Sequence, residues 1–180
     1  MRLNKEFEKM CLKTIVLYGP AQCGKTHCLN YLAGKLIKEP NVKLLEKKSN
    51  GNGLDESDNY YAMLFDTEEK EVLVIVTTQG DFEHAEEVNY EFVQKYIKFF
   101  PEKDIYWLTA SRTWGGTTNY ISGTQTTDSE LYWVCKGYVY PNKENSTTAE
   151  LFKFSDTHTA DSLFEIMKHI INKQEDEKTK

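Results

Sequence analysis

The sequence predicts a three-layer α/β domain with a mostly parallel central sheet and one antiparallel hairpin strand. Three observations carry that class. Short β-branched, apolar runs alternate with segments of helical period; the alternation resumes after a single hairpin; and the apolar runs lack a two-residue alternation, as strands covered on both faces do. In such a sheet, ligands bind beyond the carboxyl ends of the strands.

The elements follow in order. Thr14 to Tyr18 form a strand that stops at Gly19 and Pro20. After Gly24, the residues Leu29, Leu32, Ala33, Leu36 and Ile37 recur at helical spacing until Pro40. Tyr60 to Phe65 and Val72 to Thr77 are two strands whose linker, Asp66 to Lys70, is short enough for an antiparallel hairpin. Val88, Phe92, Val93, Tyr96, Ile97 and Phe100 mark one face of a helix stopped by Pro101, and Ile105 to Ala110 is a further buried strand. Leu131 to Tyr140 and Leu151 to Phe154 read as later strands. Leu163, Phe164, Ile166, Met167, Ile170 and Ile171 stripe a terminal helix, with Asp156 or Thr157 as its cap. The polar stretch 47–59 and the Thr/Gly-rich stretch 113–128 read as loops, both candidates for contacting a protein partner. No segment repeats. Residues 1–180 are expected to be one domain, globular over 13–174, with a charged tail over 175–180.

Composition removes several classes. At 39% hydrophobic and 13% aromatic, the 180 residues can bury a full core, which excludes a disordered or fibrous chain. Twenty-two Lys and Arg against 28 Asp and Glu give a net charge of −6 without a basic run, so the cationic field used in sequence-independent nucleic-acid binding is missing. The apolar runs Ile15 to Tyr18 and Val72 to Val76 are far shorter than the roughly 20 residues that span a bilayer. The start MRLNKEFEKM has no apolar core of a secretory signal, and a cytoplasmic address is expected. Cys11, Cys23, Cys28 and Cys135 form no CxxC pair and are read as reduced thiols outside any metal site.

Gly19-Pro20-Ala21-Gln22-Cys23-Gly24-Lys25-Thr26 fits GxxxxGK[ST] without a mismatch, between a buried strand and an amphipathic helix. Glycines let successive backbone N–H groups turn inward around phosphate oxygens, and the following helix offers its positive end. Here the chain resembles the P-loop NTPase superfamily. The resemblance implies a nucleoside triphosphate, ATP or GTP, cradled by Gly19, Pro20, Ala21, Gln22, Cys23, Gly24, Lys25, Thr26 and His27. It also implies Lys25 acting on the β/γ-phosphates and Thr26 on Mg²⁺. Cys23, beside a helix N-terminus, is either a reactive thiol whose modification blocks binding or an inert one.

P-loop enzymes usually carry an acid after a second apolar strand, but Leu73-Val74-Ile75-Val76 is followed by Thr77. The run Thr77-Thr78-Gln79-Gly80-Asp81 is similar to the DxxG element of small GTPases with Thr in first place, and the hairpin before it is similar to the second and third strands of Ras-like domains. The resemblance implies Thr77 reaching Mg²⁺ through water and Asp81 as the acidic group that positions water or metal. Asp81 is equally suited to cap the helix that follows.

Arg112 is one of two arginines, the other being Arg2, and it follows a buried strand on the ligand edge of the sheet. A planar guanidinium makes two parallel bonds to a phosphate, which a lysine does not, and this marks Arg112 as a candidate for stabilising a transferring phosphoryl group; the alternative is an ion pair with Glu83 or Asp81. Trp114 and Tyr120 in the next loop either stack on a base or anchor the loop to the core.

For the base, Asn142-Lys143-Glu144-Asn145 starts like the [NT]KxD element of GTPases but ends in Asn, which favours ATP over GTP. Ser155-Asp156-Thr157 only loosely resembles the last guanine-loop element. Mg²⁺-dependent ATP hydrolysis, with Lys25, Asp81 and Arg112 as catalytic residues and Thr26, Thr77 and Asp81 on the metal side, is the first expectation. A nucleotide-gated interaction module or GTP-binding switch is the second, and a small-molecule or nucleotide kinase the third.

Overall fold

A computed structural model describes residues 12–49, 60–67, 71–79, 85–113, 115–137 and 146–178. They form six strands and four helices: β1 (Leu12–Tyr18), α1 (Lys25–Leu36), β2 (Val42–Ser49), β3 (Tyr60–Thr67), β4 (Val72–Thr77), α2 (Ala85–Phe99), β5 (Asp104–Ser111), α3 (Gly116–Gly123), β6 (Glu130–Cys135) and α4 (Ser146–Lys178). The strands make one sheet in the order β2-β3-β4-β5-β1-β6. β1 is parallel to β5 and to β6, and β4 is parallel to β5; β3 is antiparallel to both β2 and β4, so a single strand opposes the rest. The α/β class with a mostly parallel sheet and one opposing hairpin strand is what the periodicity indicated.

The central strands are buried on both faces, which explains their unbroken apolar runs. On one face, Ile15, Leu17, Val74, Val76, Tyr106 and Leu108 pack against Leu29, Leu32 and Leu36 of α1 and Leu163, Met167 and Ile171 of α4. On the other, Val16, Leu73, Ile75, Ile105 and Trp107 pack against Phe92, Val93 and Tyr96 of α2 and Ile121 of α3. Burying each of these large apolar side chains contributes about 1.5–3 kcal/mol. The one charge inside β1, Lys13, is buried and paired with Glu130 of β6 at 2.5 Å. That bond, helped by Tyr132, holds the Glu130 carboxyl below its usual range.

Several expectations are corrected. Val42–Ser49 is an edge strand, so 47–49 belong to β2 and only part of the expected loop 47–59 remains, outside the described residues. Its burial alternates along 42–48, but Leu45 lies on the exposed side and Glu46, paired with Lys95, on the half-buried side, which hides the alternation in the sequence. The stretch 113–128 contains helix α3, which buries Thr117 and Ile121; poor helix formers there are held by packing rather than by propensity. Leu151 to Phe154 is helical, not a strand: α4 begins at Ser146, so neither Asp156 nor Thr157 is a cap. Leu151, Phe152 and Phe154 are exposed, which is why their pattern lacks a helical stripe. α4 continues to Lys178 through most of the expected tail, and Tyr106 of β5 donates a hydrogen bond to Gln174 near its end. The strand expected over 131–140 spans Glu130–Cys135, and 138–140 lie outside the described residues. No described helix is long and apolar enough to cross a membrane.

Candidate functional site

Where neighbouring strands send their connections in opposite directions, an open α/β sheet has a crevice at its carboxyl edge. Here that point lies between β1 and β5. β1 leaves through α1 toward β2, whereas β5 leaves through α3 on the opposite face and crosses β1 to reach β6. The segments after β1 and β5 therefore flank one crevice: Gly19 to Thr26 on one side and Arg112 and Thr113 on the other. They are tied together where they start, since the Gly19 N–H donates to the Ser111 carbonyl at 3.3 Å.

Within the loop, Gln22 has φ 60° and Gly24 φ 87°, the left-handed region. Gly24 needs its missing Cβ twice over, because that atom would also lie 2.4 Å from Oδ1 of Asp156. Gly24 caps α1 without a side-chain bond, and its carbonyl accepts the Cys28 N–H at 3.0 Å. Lys25 is buried at 3% exposure, and its ammonium donates to the carbonyls of Pro20 at 2.7 Å and Gly19 at 3.2 Å, closing the loop on itself. The Cys23 thiol lies 3.9 Å from the same ammonium. Ala21, Gln22 and His27 are exposed, and Pro20 is half-buried.

Thr26 reaches out of the loop: its hydroxyl donates to the Thr78 carbonyl at 3.0 Å, placing the end of β4 beside the start of α1 although β5 separates β4 from β1 in the sheet. Thr77 does not join it. The Thr77 hydroxyl is fully buried, donates to Thr109 at 2.8 Å and accepts the Trp107 indole N–H at 2.9 Å, within the layer facing α2. Its position is structural, one strand-face away from the loop. Asp81, Glu83, Trp114 and Asn142 to Asn145 lie outside the described residues. Among the described residues, no three His, Cys, Asp or Glu side chains gather into a metal cluster.

Arg112 is exposed at the crevice rim, and its carbonyl accepts both the Ser111 and Thr118 hydroxyls, at 3.1 and 3.2 Å, which fixes its backbone between β5 and α3. Tyr120 packs edge-on against Tyr90, which in turn meets Trp107; it anchors α3 to the core. An apolar hollow lined by Leu36, Val42, Thr67, Phe164 and Met167 lies at the opposite end of the sheet from the loop.

Two residues that the sequence did not single out as functional stand directly behind the loop. Asp156 of α4 is buried at 5% exposure, and Lys136, just past β6, at 1%; their side chains meet at 3.0 Å. Lys136 is held in place by a backbone bond, its N–H donating to the Tyr18 carbonyl at 2.8 Å. Cys28 lies against the same carboxylate at 3.7 Å, and burial pushes its thiol up to about 12. Lys136 opposes that rise and Asp156 adds to it. Beforehand, Asp156 stood out only as a helix cap and within the loose guanine-loop resemblance of Ser155-Asp156-Thr157, and Lys136 not at all.

Compared with models of known families, with curated proteins and with solved structures, the chain matches none.

Proposed function

We propose that the loop Gly19–Thr26 binds the phosphates of a nucleoside triphosphate with Mg²⁺, and that the chain hydrolyses ATP. One observation carries the reading: an unbroken GxxxxGK[ST] run stands at the crevice between a buried strand and a helix N-terminus, with two of its residues in the left-handed conformation. Lys25 and the backbone N–H groups of the loop would take the phosphate oxygens, the lysine exchanging its carbonyl partners for them. Magnesium suits the oxygen donors gathered at the Thr26 hydroxyl and the Thr78 carbonyl. When bound, the ion would neutralise charge on the terminal phosphates. Arg112, on the opposite wall, would hold the transferring group through its planar fork, and Asp81, four residues after Thr77, would orient water.

The second reading, a nucleotide-gated interaction module without hydrolysis, is favoured by the sequence Val72 to Gln79, which offers no carboxylate at the end of β4. Phosphate release separates the two. Wild-type protein with ATP and Mg²⁺ is expected to release phosphate, and Arg112→Lys and Asp81→Asn to bind ATP but turn over about 100-fold more slowly or worse. Binding without release over hours would favour the module.

A further inference from the structure

We propose that Lys136 and Asp156 are a charge-balancing pair that sets the anion affinity of the phosphate loop from behind: Lys136 cancels the negative field that Asp156 would otherwise project through Gly24 onto a bound phosphate. The inference deepens the phosphate-binding reading and rests on it.

The pair touches both ends of the loop. A Cβ on Gly24 would lie 2.4 and 2.7 Å from the two Asp156 carboxylate oxygens, and a Cβ on Gly19 would lie 3.3 Å from Cβ of Lys136. The carboxylate meets Lys136 Nζ at 3.0 Å, His27 Nδ1 at 3.5 Å and Cys28 Sγ at 3.7 Å. The ammonium also donates to the Gly137 carbonyl at 2.6 Å and to the Ser155 hydroxyl at 2.8 Å, so all three of its N–H donors are used.

A carboxylate beside the N-terminus of α1 stabilises that helix, but it occupies the positive field that a phosphate also uses. In a poorly solvated site, like charges separated by a few ångströms repel far more strongly than in water. An unpartnered Asp156 would therefore oppose every anion in the loop, and an unpartnered Lys136 would favour it. This makes a prediction of opposite signs that a purely structural pair does not make, since breaking a structural brace from either side loosens the loop alike.

The test uses the full chain with Lys136→Met, Asp156→Asn and the double variant, and two measurements. The first is the Kd for Mg·ATP by calorimetry. The second, needing no nucleotide, is the rate at which Cys23 is alkylated by iodoacetamide, located by mass spectrometry, because the reacting thiolate is itself an anion in the loop. Asp156→Asn is expected to tighten ATP by about tenfold and to speed Cys23 alkylation; Lys136→Met to weaken ATP by about tenfold and to slow Cys23; and the double variant to return both within about threefold of wild type. If Lys136→Met does not fold, the sign for Asp156→Asn and the recovery in the double variant decide. Both single variants weakening ATP alike, or Cys23 rates that ignore the charges, would overturn the pair's role. If wild type binds no ATP while the Cys23 rates follow the charges, the nucleotide reading falls and the pair stands.

Discussion

The Thr26 hydroxyl donates to the Thr78 carbonyl at 3.0 Å, joining the end of the loop Gly19–Thr26 to the residue after β4 across 52 positions of sequence. The bond brings two strand ends together that the sheet itself keeps apart. Thr26→Val removes it and the candidate magnesium ligand at once, whereas Thr26→Ser keeps both. The valine variant is expected to lose about 1 kcal/mol of stability and all Mg²⁺ dependence of ATP-induced stabilisation, and the serine variant to keep that dependence. Denaturant melts with and without EDTA read the difference.

Thr77 makes the opposite case. Its buried hydroxyl serves Trp107 and Thr109, so Thr77→Val leaves an indole N–H and a hydroxyl without their partner. About 1–3 kcal/mol should be lost in urea unfolding, with the Mg²⁺ dependence of ATP binding unchanged. A loss of that dependence at wild-type stability would return Thr77 to the metal side.

Gly24 and Gly34 are both associated with α1, but only Gly24 is at positive φ and pressed against a carboxylate. Gly24→Ala should cost at least about 2 kcal/mol and abolish ATP binding, since the backbone is strained and Asp156 is pushed aside. Gly34→Ala, with nothing within 4 Å of its new Cβ, should stabilise the chain by about 0.5–1 kcal/mol and leave binding intact.

Alkaline pH tests the surroundings of Cys28. Its thiol is pushed up to about 12 by burial, from an ordinary value of 9.0, so the unfolded chain loses this proton first as pH rises. Its contribution to stability is complete below about pH 9 and falls between about 9 and 12, with a slope approaching 1.4 kcal/mol per pH unit. Urea unfolding between pH 8 and 10.5 should show that decline in wild type and a shallower one in Cys28→Ala.

The sequence was most legible where burial is symmetrical. Val72 to Val76 and Ile105 to Ala110 are covered on both faces, so their apolar runs announce strands directly. It was least legible where tertiary contacts override local pattern. β2 carries Lys43, Lys47 and Lys48 because its outer edge meets water. α3 is built of Thr and Gly and is held by Ile121 and the Tyr120–Tyr90 contact. The start of α4 exposes Phe152 and Phe154, hiding its period. At the site, the demand for glycine at position 24 was readable, since that residue lies at positive φ. The burial of Asp156 was not, because it depends on Lys136, brought to it only by the pairing of β6 with β1. The partners of the Thr77 hydroxyl were hidden for a related reason, since they lie on β5.

Phosphate binding by Gly19–Thr26 is read out by thermal melting with Mg·ATP. At 100 times Kd, ATP should stabilise wild type by about 2.7 kcal/mol, a rise in Tm of about 5–10 °C, with a smaller rise for GTP. Lys25→Ala, folded and melting on its own, should show no ATP-dependent rise. No shift in wild type with either nucleotide, or an equal shift in Lys25→Ala, would contradict it.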